Sequence, residues 1–158
     1  MKINKTISFL VRLHVIWYIL VAFVINLSNS CLIYFLFPKA ELINNITEKI
    51  LLLNTVASFI IIVVFAPIIE TLFFQVVFIH FIRSLLTNKY LKFYLPIVVS
   101  GILFGLNHCF DLIYTISTTV TGLYLAFVYT IFLYRKESSI TITAIIHMLW
   151  NGFVFVVT

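Results

Sequence analysis

The sequence predicts an all-α fold, a polytopic transmembrane helical bundle of about five spans, and three observations carry that prediction. First, 63% of the 158 residues are hydrophobic and only 9% are charged, with a mean hydropathy of +1.20. That composition leaves too little polar surface to cover a water-soluble domain. Second, the apolar residues fall into five runs, each reaching or approaching the roughly 20 residues that a helical span requires. Third, the basic residues sit in short clusters between those runs, as topology signals do. A single membrane domain over 1–158 is expected. The net charge of +5 is accounted for by these clusters, so no nucleic-acid partner is expected. The chain's partner by composition is the lipid bilayer.

The runs can be taken in order. The first is Leu13–Phe37, interrupted by the polar patch Asn26–Ser30. Lys2, Lys5 and Arg12 precede it in the manner of a signal peptide. The run is too long for such a segment, however, and no small-x-small cleavage site follows it, so a retained first span is expected. The second run, Ile50–Ile82, has 33 residues. As a helix it would measure about 50 Å against a hydrocarbon core of about 30 Å. Pro67 is its only breaker, and proline more often kinks a membrane helix than ends it. The third run is Phe93–Cys109, the fourth Ile113–Tyr134 and the fifth Ile140–Val157.

Charge decides how the second run is counted. As one bent or tilted crossing, it puts Lys2, Lys5, Arg12, Arg83, Lys89, Lys92, Arg135 and Lys136 on one side and only Lys39 and Lys49 on the other. This asymmetry predicts a cytoplasmic N-terminus and five crossings. Cys31 and Cys109 form no CxxC pair and are expected to pack as small apolar residues. His14 and His80 lie near span ends and Asp111 follows the third span, so interfacial or solvated positions are expected for them. Trp17 and Trp150 suit interface anchoring or packing.

Glu70 is the residue that needs explaining. It is the sole carboxylate inside an apolar run, and a charge at the centre of a membrane helix costs about 2.5–3.5 kcal/mol on insertion scales. Counted from the basic clusters at about 1.5 Å per residue, Glu70, His108, His147 and Asn151 fall in one slab about 15–24 Å deep. Polar groups from three helices at one depth are not expected to face lipid. His147 and Asn151 are spaced i,i+4 and share a helix face, as do Phe104 and His108. Gly101 and Gly105 form a GxxxG pattern that lets another helix come close beside His108.

These residues carry a resemblance. Pro67-x-x-Glu70, Phe104-x-x-x-His108 and His147-x-x-x-Asn151, in that order on predicted membrane helices, resemble the three motifs of the CAAX-protease and bacteriocin-processing family of intramembrane proteases. That family includes the type II CAAX prenyl endopeptidases. The similarity covers a core over about 63–155, including the run Ser138–Asn151. One departure is plain. The family's first motif is usually Glu-Glu-x-x-x-Arg, and here Thr71 and Gln75 stand for the second Glu and the Arg. Losing one partner of a buried ion pair costs about 3–5 kcal/mol. Because both positions are neutral here, a Thr71–Gln75 hydrogen bond is expected in the pair's place.

The resemblance implies an intramembrane endopeptidase, multi-pass in a bacterial cell membrane, acting on a peptide or a lipidated protein end. It implies Glu70 as the base that activates water and His108 as a group that orients the water or shuttles the proton. His147 and Asn151 would then polarise the carbonyl and stabilise the oxyanion, with Thr71, Gln75 and Phe104 in supporting positions. No cofactor is needed for this chemistry. A metal version stays open, in which Glu70, His108 and His147 supply the two-histidine, one-carboxylate set that one catalytic zinc ion accepts. The competing class is a non-catalytic bacteriocin-immunity or scaffold protein with the same fold. A transporter subunit would string polar residues along a pathway, whereas here they collect at one depth.

Overall fold

The structure is a computed structural model that describes residues 5–37, 54–108 and 111–157. Among these the regular structure is helical. A short helix α1 (Lys5–Leu10) precedes α2 (Val15–Leu36). His14 caps α2, its Nδ1 accepting from the Ile16 N–H at 3.4 Å. The predicted interruption at Asn26–Ser30 does not occur, because α2 runs straight through it. The polar side chains there bind the neighbouring helix α5 (Leu112–Arg135). Asn29 donates to Ser117 Oγ at 2.8 Å, and Thr121 donates to Asn26 Oδ1. In an apolar surrounding such bonds act as interhelical glue, worth about 0.6 kcal/mol each on average.

The long second run forms one continuous helix, α3 (Thr55–Leu85), of 31 residues. Asn54 caps it through the Val56 N–H at 2.9 Å, and the predicted residues 50–53 lie outside the described residues. At about 1.5 Å per residue α3 is far longer than a bilayer core of about 30 Å. Its winding is not uniform. Ile60–Phe65 and Thr71–Phe78 have the wider π pitch, and they flank a five-residue α-wound piece, Ala66–Glu70. Pro67 offers a cause, since it has no N–H to continue the ladder. The Ala66 N–H accordingly reaches back five residues to the Ile61 carbonyl.

Helix α4 (Leu91–Asn107) has 17 residues and is followed by His108 as its C-cap. The predicted end at Cys109 falls outside the described residues. Asp111 caps α5, accepting from the Tyr114 N–H at 2.8 Å. Lys136 closes α5 in the left-handed conformation, φ 58°. Helix α6 spans Ser139–Val157. Among the described residues four helices, α2, α3, α5 and α6, are long and apolar enough to cross a membrane, and α4 is a shorter apolar helix. The chain is a multi-pass membrane protein.

Side-chain contacts bring Arg83 and Arg135 to one end of the bundle. Arg135 Nη1 donates to the Leu13 carbonyl at 2.6 Å and Arg83 Nη1 to the Lys92 carbonyl at 3.2 Å. The Arg83 guanidinium also lies over the Tyr134 ring at 5.0 Å. The starts of α2 and α4 and the ends of α3 and α5 therefore meet there, so successive helices alternate in direction.

Helix α5 is the centre. Its residues Leu125, Ala126, Val128, Tyr129, Ile131 and Phe132 are all at most 2% exposed. The lipid-facing sides of the outer helices carry large apolar side chains such as Val24, Phe35 and Ile69. Small residues set the α4–α5 approach. A Cβ on Gly101 would lie 2.7 Å from the Leu123 Cα, and one on Gly122 would lie 2.7 Å from the Phe104 Cβ. A Cβ on Gly105 would meet Thr119 Oγ1 at 1.8 Å and its Cα at 2.8 Å. Gly105→Ala is therefore expected to cost roughly 1–3 kcal/mol through overpacking. Gly152→Ala, whose nearest neighbour is Val63 Cγ1 at 3.4 Å, is expected to change little. Thermal unfolding of both variants in lipid nanodiscs checks the difference.

Candidate active site

Glu70 is the middle residue of α3, at the end of the α-wound piece between the two π stretches. Its neighbour Ile69 points outward, while Glu70 turns into the bundle and keeps 20% of its side chain exposed. Its two oxygens face two different histidines. His108 Nε2 lies 3.6 Å from Oε1, and His147 Nε2 lies 3.5 Å from Oε2. Three of the sequence-derived site residues, from α3, the end of α4 and α6, are thus brought together. These separations are longer than direct N–H···O hydrogen bonds of about 2.7–3.2 Å. The three groups stand close enough for strong electrostatic interaction without locking one another.

Each imidazole is held differently. His108 sits at the C-cap of α4, and its Nδ1 is 2.8 Å from the Phe104 carbonyl. A carbonyl can only accept, so Nδ1 carries the proton and Nε2 is the atom left to face Glu70. His147 lies inside α6 with 4% of its side chain exposed, and its Nδ1 is buried without a hydrogen-bond partner. Phe104 packs against both rings, with centroids 4.7 Å from His108 and 5.6 Å from His147. The i,i+4 spacing of Phe104 and His108 thus serves two contacts, one from the backbone carbonyl and one from the ring.

Asn151 is placed elsewhere. Its Nδ2 donates at 3.0 Å to the carbonyl of Ile62, in the first π stretch of α3. The next N–H in a five-residue register would belong to Pro67, which has none. Asn151 therefore satisfies a carbonyl that the proline leaves open, using one of the two donors of its amide nitrogen. The expected Thr71–Gln75 hydrogen bond is also not made. Thr71 Oγ1 and both polar atoms of the Gln75 amide are buried without partners. An i,i+4 contact assumes α winding, and this stretch is wound with the π register, in which backbone bonds span five residues.

Donor types at the site suit zinc. Each imidazole addresses a separate carboxylate oxygen, and no group of three or more His, Cys, Asp or Glu among the described residues is placed to hold a metal ion. No catalytic step is routed through a metal here. Two further buried polar residues escape the sequence reading, Thr143 and Thr130. The signal for Thr143 was present in Ser139, Thr143, His147 and Asn151, a polar stripe at i,i+4 spacing along an otherwise apolar helix.

Fold and site together define a helical membrane protein with a carboxylate and two imidazoles gathered inside the bundle. The model of the family described as Type II CAAX prenyl endopeptidase Rce1-like matches residues 52–153, more than half of the chain, and the chain belongs to that family. Membership supports a CAAX-protease type of function. No curated protein and no solved structure matches the chain.

Removing the Asn151 amide leaves the Ile62 carbonyl unsatisfied in an apolar setting. Asn151→Leu is expected to cost about 1–3 kcal/mol and to speed amide exchange in the Ile60–Phe65 stretch. Hydrogen–deuterium exchange in nanodiscs checks this.

Proposed function

We propose that the protein is an intramembrane endopeptidase that hydrolyses a peptide bond in a peptide or a lipidated protein end, within or near the membrane. Its setting is the bacterial cell membrane, with the N-terminus cytoplasmic, as the clustering of basic residues at one end of the bundle favours. The observation that carries the reading is the placement of Glu70 between His108 Nε2 and His147 Nε2, at 3.6 and 3.5 Å.

In this reading Glu70 takes a proton from water while the water oxygen attacks the scissile carbonyl carbon. His147 donates through Nε2–H to the oxygen that gains charge, in a site largely closed to solvent, where such a donor is most effective. His108 is held in one tautomer by the Phe104 carbonyl. It relays the proton from Glu70 to the leaving nitrogen as the C–N bond breaks. Asn151 acts as a positioning residue, fixing α3 against α6 through the Ile62 carbonyl. The core of the activity is the 63–155 portion of a single membrane domain.

A second reading has one observation in its favour. Thr71 and Gln75 are neutral and unpaired where the family pattern carries an ion pair, which suits an immunity or scaffold protein that keeps the fold without turnover.

Purified protein in lipid, incubated with bacteriocin precursors, signal peptides and prenylated tails, separates the two readings. Glu70→Gln is expected to lower cleavage by about 10²–10⁴-fold and His147→Ala by about 10²–10³-fold, with chelator leaving the wild type unchanged. Chelator-sensitive cleavage would require a metal, and folded wild type that cuts none of the panel would favour the scaffold reading.

A further inference from the structure

Two polar rungs cross the bundle. The upper is Glu70–His147, between α3 and α6. The lower is His80 Nε2 against the Tyr129 hydroxyl at 3.0 Å, between α3 and α5. Because α3 and α6 run in opposite directions, Thr71 and Gln75 on α3 and Thr143 on α6 fall between the rungs. Thr130 follows Tyr129 on α5.

Every one of these residues has an orphaned polar atom. Thr71, Gln75, Thr130 and Thr143 are 0% exposed, and none of their side-chain polar atoms has a hydrogen-bond partner. His147 Nδ1 at the upper rung is in the same state. A buried threonine can turn its hydroxyl to its own helix, but the Gln75 amide, with two donors and an acceptor oxygen, has no such recourse. Leaving these groups dry would be expensive. The layer is uncharged, which disfavours an ion, and closed, which bars a peptide. Water is the ligand that fits. Six orphaned atoms suit about two internal waters making about three hydrogen bonds each.

We propose that Thr71, Gln75, Thr130 and Thr143 hold a cluster of internal water between the two rungs, and that this cluster supplies the water consumed at Glu70. The supply role rests on the reading of Glu70 as a hydrolytic base; the water site does not. His80 is exposed at the lower rung while Tyr129 beneath it is buried, so the cluster refills past the His80–Tyr129 contact at the basic end of the bundle.

The test is hydroxyl-radical labelling of the full chain in nanodiscs, pulsed in ¹⁸O-water. Phe74 and Tyr129 are 5% and 1% exposed, yet both are expected to take up the isotope from the internal water. Thr71→Val with Thr143→Val, which keeps shape and removes the hydroxyls, is expected to abolish that labelling while exposed Trp17 stays labelled. Gln75→Met should do the same, and either variant suffices if the other fails to fold. Glu70→Gln should leave the labelling intact. Unlabelled Phe74 and Tyr129 in the wild type, or labelling that survives the apolar variants, would overturn the water site. On a cleaved peptide, Thr143→Val is expected to lower kcat with KM unchanged, and an unchanged kcat with labelling lost would overturn the supply role. Absence of cleavage by the wild type would remove the supply role together with the protease reading, and labelling alone would decide the water site.

Discussion

A carboxylate in the middle of an apolar helix must be given partners, and much of this structure follows from meeting that demand. Glu70 cannot be left to lipid at a cost of about 2.5–3.5 kcal/mol. It is instead turned inward, toward one imidazole on each oxygen. The two histidines come from helices far apart in sequence. Their meeting therefore requires α3, α4 and α6 to pack within one side-chain length of one another.

Unremarkable residues arrange that packing. The glycines at 101, 105 and 122 let α4 and α5 approach until backbone and side-chain atoms touch, which carries Phe104 to both imidazoles. Pro67 disturbs the hydrogen-bond ladder of α3 one turn before Glu70. The broken ladder is repaired from outside by Asn151. Flaw and repair lie on different helices, so the pair fastens α6 to the segment that carries the carboxylate. Buried polar contacts of this kind fix a relative position more than they add stability.

Much of this was legible in the chain. Long apolar runs specify membrane helices with little ambiguity, because a spanning segment must satisfy its backbone internally. The helix of 31 residues was recoverable as one crossing only because eight of the ten basic residues sort to one side when it is counted so. The convergence of Glu70, His108 and His147 was visible from their common depth. What the chain hid were partners created by other helices. The patch Asn26–Ser30 looks like a break until Ser117 and Thr121 of α5 are seen to receive it. Asn151 also binds the Ile62 carbonyl, a partner opened by a proline on another helix. The Thr71–Gln75 contact was expected on α spacing, and the π register of that stretch is not written in its residue types.

Helix α4 carries a further consequence in its length. Its 17 residues rise about 25 Å, against a hydrocarbon thickness of about 30 Å. A span that short is matched either by thinning of the lipid beside it or by flanking side chains that reach out to the headgroups. His108 caps the end of α4, so either accommodation bears directly on the helix that carries one of the two imidazoles. Thicker lipid would enlarge the mismatch, and the protein would feel the thickness of its bilayer through this helix.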